Sequence, residues 1–207
     1  HFQLDNPILN KLKEAKLLSD KFLCYGFDIP KEFFDYRGNT INPNSSHSLI
    51  RGTEYYDPPY GWIGIGLNVL GKYDEGNNDW LTNKSNSSKW AIAYHGISPS
   101  FKSDKIKYLL KKIITLNSLV NAKTKIRDKP NDKRHWGKVE EGICLTPNIK
   151  IAEECTTTIS FNNKRYKILL MARVYIEEIQ EPEDSYYWVL NNETNIRIYR
   201  VLFKEVK

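Results

Sequence analysis

The chain is poor in the devices that hold a protein together from outside its own core. Its 207 residues include three cysteines, Cys24, Cys144 and Cys155. An odd count with no Cys-x-x-Cys spacing argues against a disulfide framework and against a zinc site, and it fits a reducing compartment, cytoplasmic or nuclear. His47, His95 and His135 stand far apart, with no His-x-x-x-His or His-x-x-Glu arrangement, so no metal is expected. No apolar run is longer than Ile168 to Ala172, far short of the roughly 20 residues of a membrane span. No Gly-Lys-Ser/Thr and no Gly-x-Ser-x-Gly occur, which removes P-loop and serine-hydrolase readings. No period of 20 to 50 residues recurs, so solenoids and propellers are excluded. The chain opens His1-Phe2-Gln3-Leu4 without Met or a signal-peptide pattern, which predicts a domain taken from a longer protein.

What is present is a globular balance. Hydrophobic residues make up 40% and aromatics 13%, which excludes a disordered chain or a coiled coil and leaves enough apolar surface for one self-supporting core. The net charge of +6 and pI near 9.0 suit an acidic partner such as a phosphate-bearing ligand or nucleic acid. The excess is lysine spread along the chain, the pattern of a solvated surface. A nucleic-acid reading would rest on the Lys-rich first helix and the basic segment 123–138.

Residues 7–23 read as an amphipathic helix, with Ile8, Leu9, Leu12, Ala15, Leu17, Leu18 and Phe22 at helical spacing. From Asp28 to Ser48 the composition turns to Asn, Pro, Gly and Ser, predicting an irregular segment. A turn rich in Gly, Pro and aromatics then enters a strand at 65–69, and Lys89 to Gly96 reads as a second strand. Ser103 to about Leu116 has one apolar face and predicts a helix. Strands follow at 142–146, 166–176, 186–190 and 196–203, with a short helix from Ile149 to Thr156. Few helices early and strands clustered late predict an α+β fold with a largely antiparallel sheet. The division is a helical or irregular N-terminal extension, 1–48, and a main domain, 49–207.

Several residues could carry chemistry. Gly61-x-x-Gly64-x-Gly66 resembles a phosphate loop, but the dinucleotide fingerprint needs a helix after it and here a strand follows. Tyr55, Tyr56, Tyr60 and Trp62 are either a ligand platform or a packed turn. Cys144 with His95 is either a nucleophilic Cys–His pair or inert strand packing. Tyr94-His95-Gly96 places an imidazole beside a backbone that a ligand can approach closely, with Gly142-Ile143-Cys144 and Ala152 to Cys155 following in the chain.

These blocks carry a resemblance. Arg51-Gly52-x-x-Tyr55-Tyr56-x-Pro58-Pro59-Tyr60-Gly61-Trp62-x-Gly64-x-Gly66-Leu67, Trp90-Ala91-Ile92-Ala93-Tyr94-His95-Gly96, Gly142 to Ile149, Ala152-Glu153-Glu154, Leu170 to Val174, Tyr187 to Asn191 and Ile196-Arg197-x-Tyr199 resemble ADP-ribosyltransferases of the poly(ADP-ribose) polymerase-like, diphtheria-toxin-like class. The likeness is closer to the C-terminal region of neuralized-like proteins and their ciliate and fungal relatives, and it covers roughly residues 50 to 205. It implies a split β-sheet fold of the ADP-ribosyltransferase type, with NAD bound between two small sheets. It implies that His95 bonds the adenosine ribose and that the Gly96 backbone holds the nicotinamide amide. Cys144 and Cys155 fall where the class has tyrosines stacking on nicotinamide, and Thr146 joins them among the cofactor contacts. The third catalytic position, a Glu in polymer-forming members, falls near Asn195 or Ile196. Arg134, His135 and Trp136 lie in the acceptor-side loop. The implied activity is NAD-dependent mono-ADP-ribosylation of a protein acceptor, a glycosyl transfer. The alternative is a fold-retaining interaction module without catalysis.

Overall fold

A computed structural model describes residues 7–41, 47–82, 89–97, 103–117, 124–125, 141–182 and 186–206. The fold is α+β, with mainly antiparallel sheet and few helices. Helix α1 (Pro7–Leu17) runs on as one π-helical stretch, Leu18–Gly26, and 3-10 turns at Lys31–Phe33 and Tyr36–Gly38 lead into strand β1 (Thr40–Ile41). Next come the hairpin β2 (Leu49–Arg51) and β3 (Glu54–Tyr56), then β4 (Ile63–Gly66), β5 (Trp90–Gly96) and helix α2 (Ser103–Leu116). The last third holds β6 (Thr124–Lys125), β7 (Glu141–Leu145), α3 (Ile149–Glu154), β8 (Thr158–Phe161), β9 (Lys164–Tyr175), β10 (Trp188–Leu190) and β11 (Ile196–Val206).

The principal sheet has the order β1-β4-β11-β9-β5, with β8 pairing the start of β9; the second is β10-β7-β6. Strands β9 and β11 form its spine, ten register pairs long, with a bulge at Tyr199. Among the described residues the two sheets are joined by one antiparallel rung, where Tyr94 N donates to Thr146 O at 2.8 Å and Thr146 N to Tyr94 O at 3.0 Å.

One face of the principal sheet packs against the π-helical stretch through Leu18, Phe22 and Leu23, and against α2 through Ile106, Leu110 and Ile113. The phenyl ring of Phe22 lies 4.6 Å from Phe161 and 5.8 Å from Phe203. The opposite face carries a second cluster, in which Tyr94, Leu169, Met171 and Leu202 meet Trp62 and the α3 residues Ile149 and Ala152.

Three differences from the sequence reading bear on how the core is built. Burial of the first helix starts at Ala15; Ile8, Leu9 and Leu12 stay exposed, so its apolar stripe is used only in its second half. The strand expected at 65–69 is Ile63–Gly66. Leu67 N still reaches Tyr199 O on β11, beside the bulge, and the chain leaves the ladder at Asn68, whose N turns to Phe33 O. The segment 28–41 is ordered by 3-10 turns and joins the same core through Ile29 and Phe34. Among the described residues no helix is long and apolar enough to cross a membrane.

Candidate functional site

The rung between Tyr94 and Thr146 is where β5 and β7 meet, and they part immediately beyond it. On a closed sheet, the next backbone groups would continue the ladder. Here the His95 side chain takes that place: Nδ1 lies 2.8 Å from the Cys144 carbonyl oxygen. A carbonyl only accepts, so Nδ1 is the protonated nitrogen and Nε2 is left as an acceptor. Burial lowers the His95 pKa, and the bond to Cys144 opposes that only in part. The ring is therefore neutral at pH 7.

The rung is sewn in place from outside. Tyr94 is fully buried, and its hydroxyl donates to Asp57 O at 2.6 Å, while Asp57 N donates to Pro147 O at 3.0 Å. Thr146 is 2% exposed, and its hydroxyl accepts from Asn148 N at 3.2 Å. Asn148 then caps α3 by accepting from Lys150 N and Ile151 N. The Thr146 side chain is thus spent on launching α3.

Helix α3 closes over Gly96. A Cβ built there would stand 3.0 Å from both the Ala152 and Cys155 carbonyl oxygens, so any side chain at this position would press the helix end away from the strand by a few tenths of an ångström. Cys155 forms the C-cap of α3, and its Sγ lies 3.1 Å from Tyr187 Oη. The α3 exit is tied back to β5: Ile97 N donates to Thr156 Oγ1, which donates to Ile168 O at 2.6 Å.

His95, Gly96, Cys144 and Thr146 therefore meet at the β5–β7 rung, and the end of α3 brings the Cys155 backbone against Gly96, on the sheet face opposite the His95 side chain. Cys144, opposite Val189 on β10, and Cys155 are half-buried, and neither is in a disulfide. Asn195 is elsewhere. It ends the 3-10 turn before β11, whose first residue, Ile196, pairs with Val174, which pairs with Ala91. His95 pairs with Leu170, four residues along β5, so Asn195 sits beyond about 13 Å of strand and across another strand. Ile196 is buried in the core. Antiparallel pairing puts the start of β11 at the wrong end of the sheet. Arg134, His135 and Trp136 lie outside the described residues.

The other candidates sort by burial. Trp62 is buried under the sheet, Tyr55 is exposed, and Tyr56 is buried and lines a cavity. Tyr187, whose phenol reaches Cys155, was not singled out for a role in the sequence; only the fold brings β10 and the end of α3 together. The chain matches no protein-family model and no curated protein.

Proposed function

We propose that this chain is a mono-ADP-ribosyltransferase domain that takes NAD as substrate where β5 and β7 part, and transfers ADP-ribose to a protein acceptor. The observation that carries the reading is the His95–Cys144 hydrogen bond, which uses Nδ1 as donor and leaves Nε2 as an acceptor beside the rung that joins the two sheets. That acceptor suits a ribose hydroxyl, and the resemblance assigns His95 this partner. Gly96 lies beside it, and Tyr187 supplies an aromatic ring next to Cys155, where the resembled class has a stacking tyrosine.

In the reaction the bond between ribose C1′ and the nicotinamide nitrogen breaks, and its electron pair leaves with nicotinamide. The acceptor's nucleophile bonds C1′ and gives up its proton. The protein's share is to orient the ribose and hold the leaving group. Neither Asn195 nor Ile196, where the resemblance puts the third position, is acidic, which fits a single transfer rather than chain elongation.

A second reading, an interaction module that retains the fold, is favoured by the thiols at Cys144 and Cys155 in place of two aromatic faces. Titration calorimetry with NAD, paired with an automodification assay on labelled NAD, separates the two. The enzyme reading expects NAD binding and label incorporation that are both lost in His95→Ala while the melting transition persists. NAD binding absent from the native chain, or unchanged in His95→Ala, overturns it.

A further inference from the structure

A cavity of about 540 Å³ opens on the α3-bearing face of the principal sheet, toward β4 and the β2–β3 hairpin. Four guanidinium groups line it, those of Arg37, Arg51, Arg173 and Arg200, and the only carboxylate among its described lining residues is Asp35. Asp35 is already held by both Arg37 nitrogens at 2.8 Å. The remaining three arginines come from three different elements. Arg173 rises from β9, is 3% exposed, and donates to the Leu81 and Trp90 carbonyls. Arg200 rises from β11, and its Nε donates to Gly38 O at 3.1 Å. Arg51 leaves the hairpin with its guanidinium 5.8 Å from the Tyr56 ring centroid, and its buried Nε has no hydrogen-bond partner.

Arg51 and Arg200 both line a recess large enough for an anion, and an anion there would offset the repulsion between them. The fold is shaped for this arrangement: a Cβ at Gly64 would stand 2.6 Å from Arg200 Cδ, so that glycine makes room for the arginine stem. Burial pulls Arg173 below the usual arginine pKa, against the charges of Tyr199 and Tyr56 and with those of Arg51 and Arg200. The same three arginines hold down the pKa values of Tyr56 and Tyr199, against the larger upward push of burial. These mutual effects place all five groups within one electrostatic neighbourhood.

We infer that Arg51, Arg173 and Arg200 form a binding site for a small phosphate-bearing molecule of nucleotide size, with the phosphates on the guanidiniums. Planar guanidinium donors match phosphate oxygens in paired geometry. The volume exceeds what a bare phosphate fills and lies in the range of nucleotide-sized ligands. The rings of Tyr56 and Tyr199, with Ile92 and Met171, offer an apolar wall to the organic part. This site lies on the opposite sheet face from the His95 side chain and does not depend on NAD binding there.

Titration calorimetry on the intact chain with pyrophosphate, ADP and adenosine tests it. Pyrophosphate and ADP are expected to bind, ADP more tightly, with adenosine silent and affinity falling as salt is raised. Arg51→Gln and Arg200→Gln, both at less buried positions than Arg173, are expected to weaken pyrophosphate and ADP by at least about tenfold each. Should either variant fail to melt cooperatively, the lysine replacement at that position, which keeps the charge and loses the paired donors, is measured in its place and is expected to weaken ADP less but measurably. No binding of either phosphate probe at millimolar concentration overturns the site. So does ADP binding that survives both arginine changes but is lost in His95→Asn, since that places the phosphates at the β5–β7 opening. A phosphotyrosyl peptide that binds where ADP does not overturns the small-molecule assignment.

Discussion

At His95 one contact fixes both tautomer and charge. The Cys144 carbonyl demands a proton on Nδ1, and burial resists a second proton on Nε2. Stability therefore depends on pH in a definite direction. Above the ordinary histidine value of 6.5 both folded and unfolded chains carry a neutral ring. As the pH falls below it, the unfolded chain takes up a proton that the folded chain refuses, and stability is lost until the folded pKa is also passed. His95→Asn keeps an amide donor in place of Nδ1–H and cannot titrate. Urea unfolding of the two proteins is expected to give parallel stabilities near pH 8 and a relative loss for the native chain below about pH 6.5. Curves that stay parallel into acid would show that the imidazole is protonated as readily in the fold as outside it.

At the scale of elements, the glycines of β4 explain why the sheet closes as it does. Gly66 lies under the turn 35–38: a Cβ there would stand 2.5 Å from Asp35 O and 2.7 Å from Gly38 Cα, both backbone atoms that cannot swing aside. Gly66→Ala is expected to destabilise by about 1–3 kcal/mol. At Gly26 the nearest atom would be 3.4 Å away, an ordinary contact, so Gly26→Ala serves as a near-neutral control. Thermal melts of the two variants check the contrast, and equal shifts would mean that the turn moves to accommodate a methyl group.

The same scale shows what could be read from the sequence. Strand β5 and helix α2 fall where periodicity puts them, because each has a continuous or strongly one-sided apolar pattern. The hairpin from β8 to β9 is not among the strands that periodicity predicts, although Asn162-Asn163 carries its signal: both residues have positive φ, 54° and 60°, as a two-residue turn of the I′ kind requires. The Gly61-x-x-Gly64-x-Gly66 spacing proved to serve close approach, of Arg200 at Gly64 and of the turn 35–38 at Gly66. The meeting of His95 with Cys144 needed the β5–β7 rung, which no local pattern encodes. The separation of Asn195 from them needed the direction of β11. The arginine cavity was invisible for the same reason: Arg51, Arg173 and Arg200 are far apart in the chain and are joined only by register.

For the whole molecule, the question is whether the N-terminal segment is an appendage or part of the folding unit. A boundary near residue 48 follows from composition, yet Leu18, Phe22, Leu23 and Phe27 share one core with Ile168, Phe203 and α2. Polar contacts run the same way: Tyr166 donates to Glu14 at 2.9 Å, and Lys164 pairs with both Glu14 and Glu205. The ion pairs are partly exposed and contribute little. The four buried side chains matter more, at about 1.5–3 kcal/mol each, which together is comparable to the roughly 5–15 kcal/mol that holds a domain folded. Removing residues 1–27 would also bare Phe161 and Phe203, the rings that Phe22 covers. The truncated chain is expected to lose its cooperative melting transition and to bind a hydrophobic dye, while the full chain does neither. A truncated chain that melts cooperatively near the full-length temperature would make the sheet and α2 self-sufficient, and would turn the first helix into a cover for the face it now helps to build.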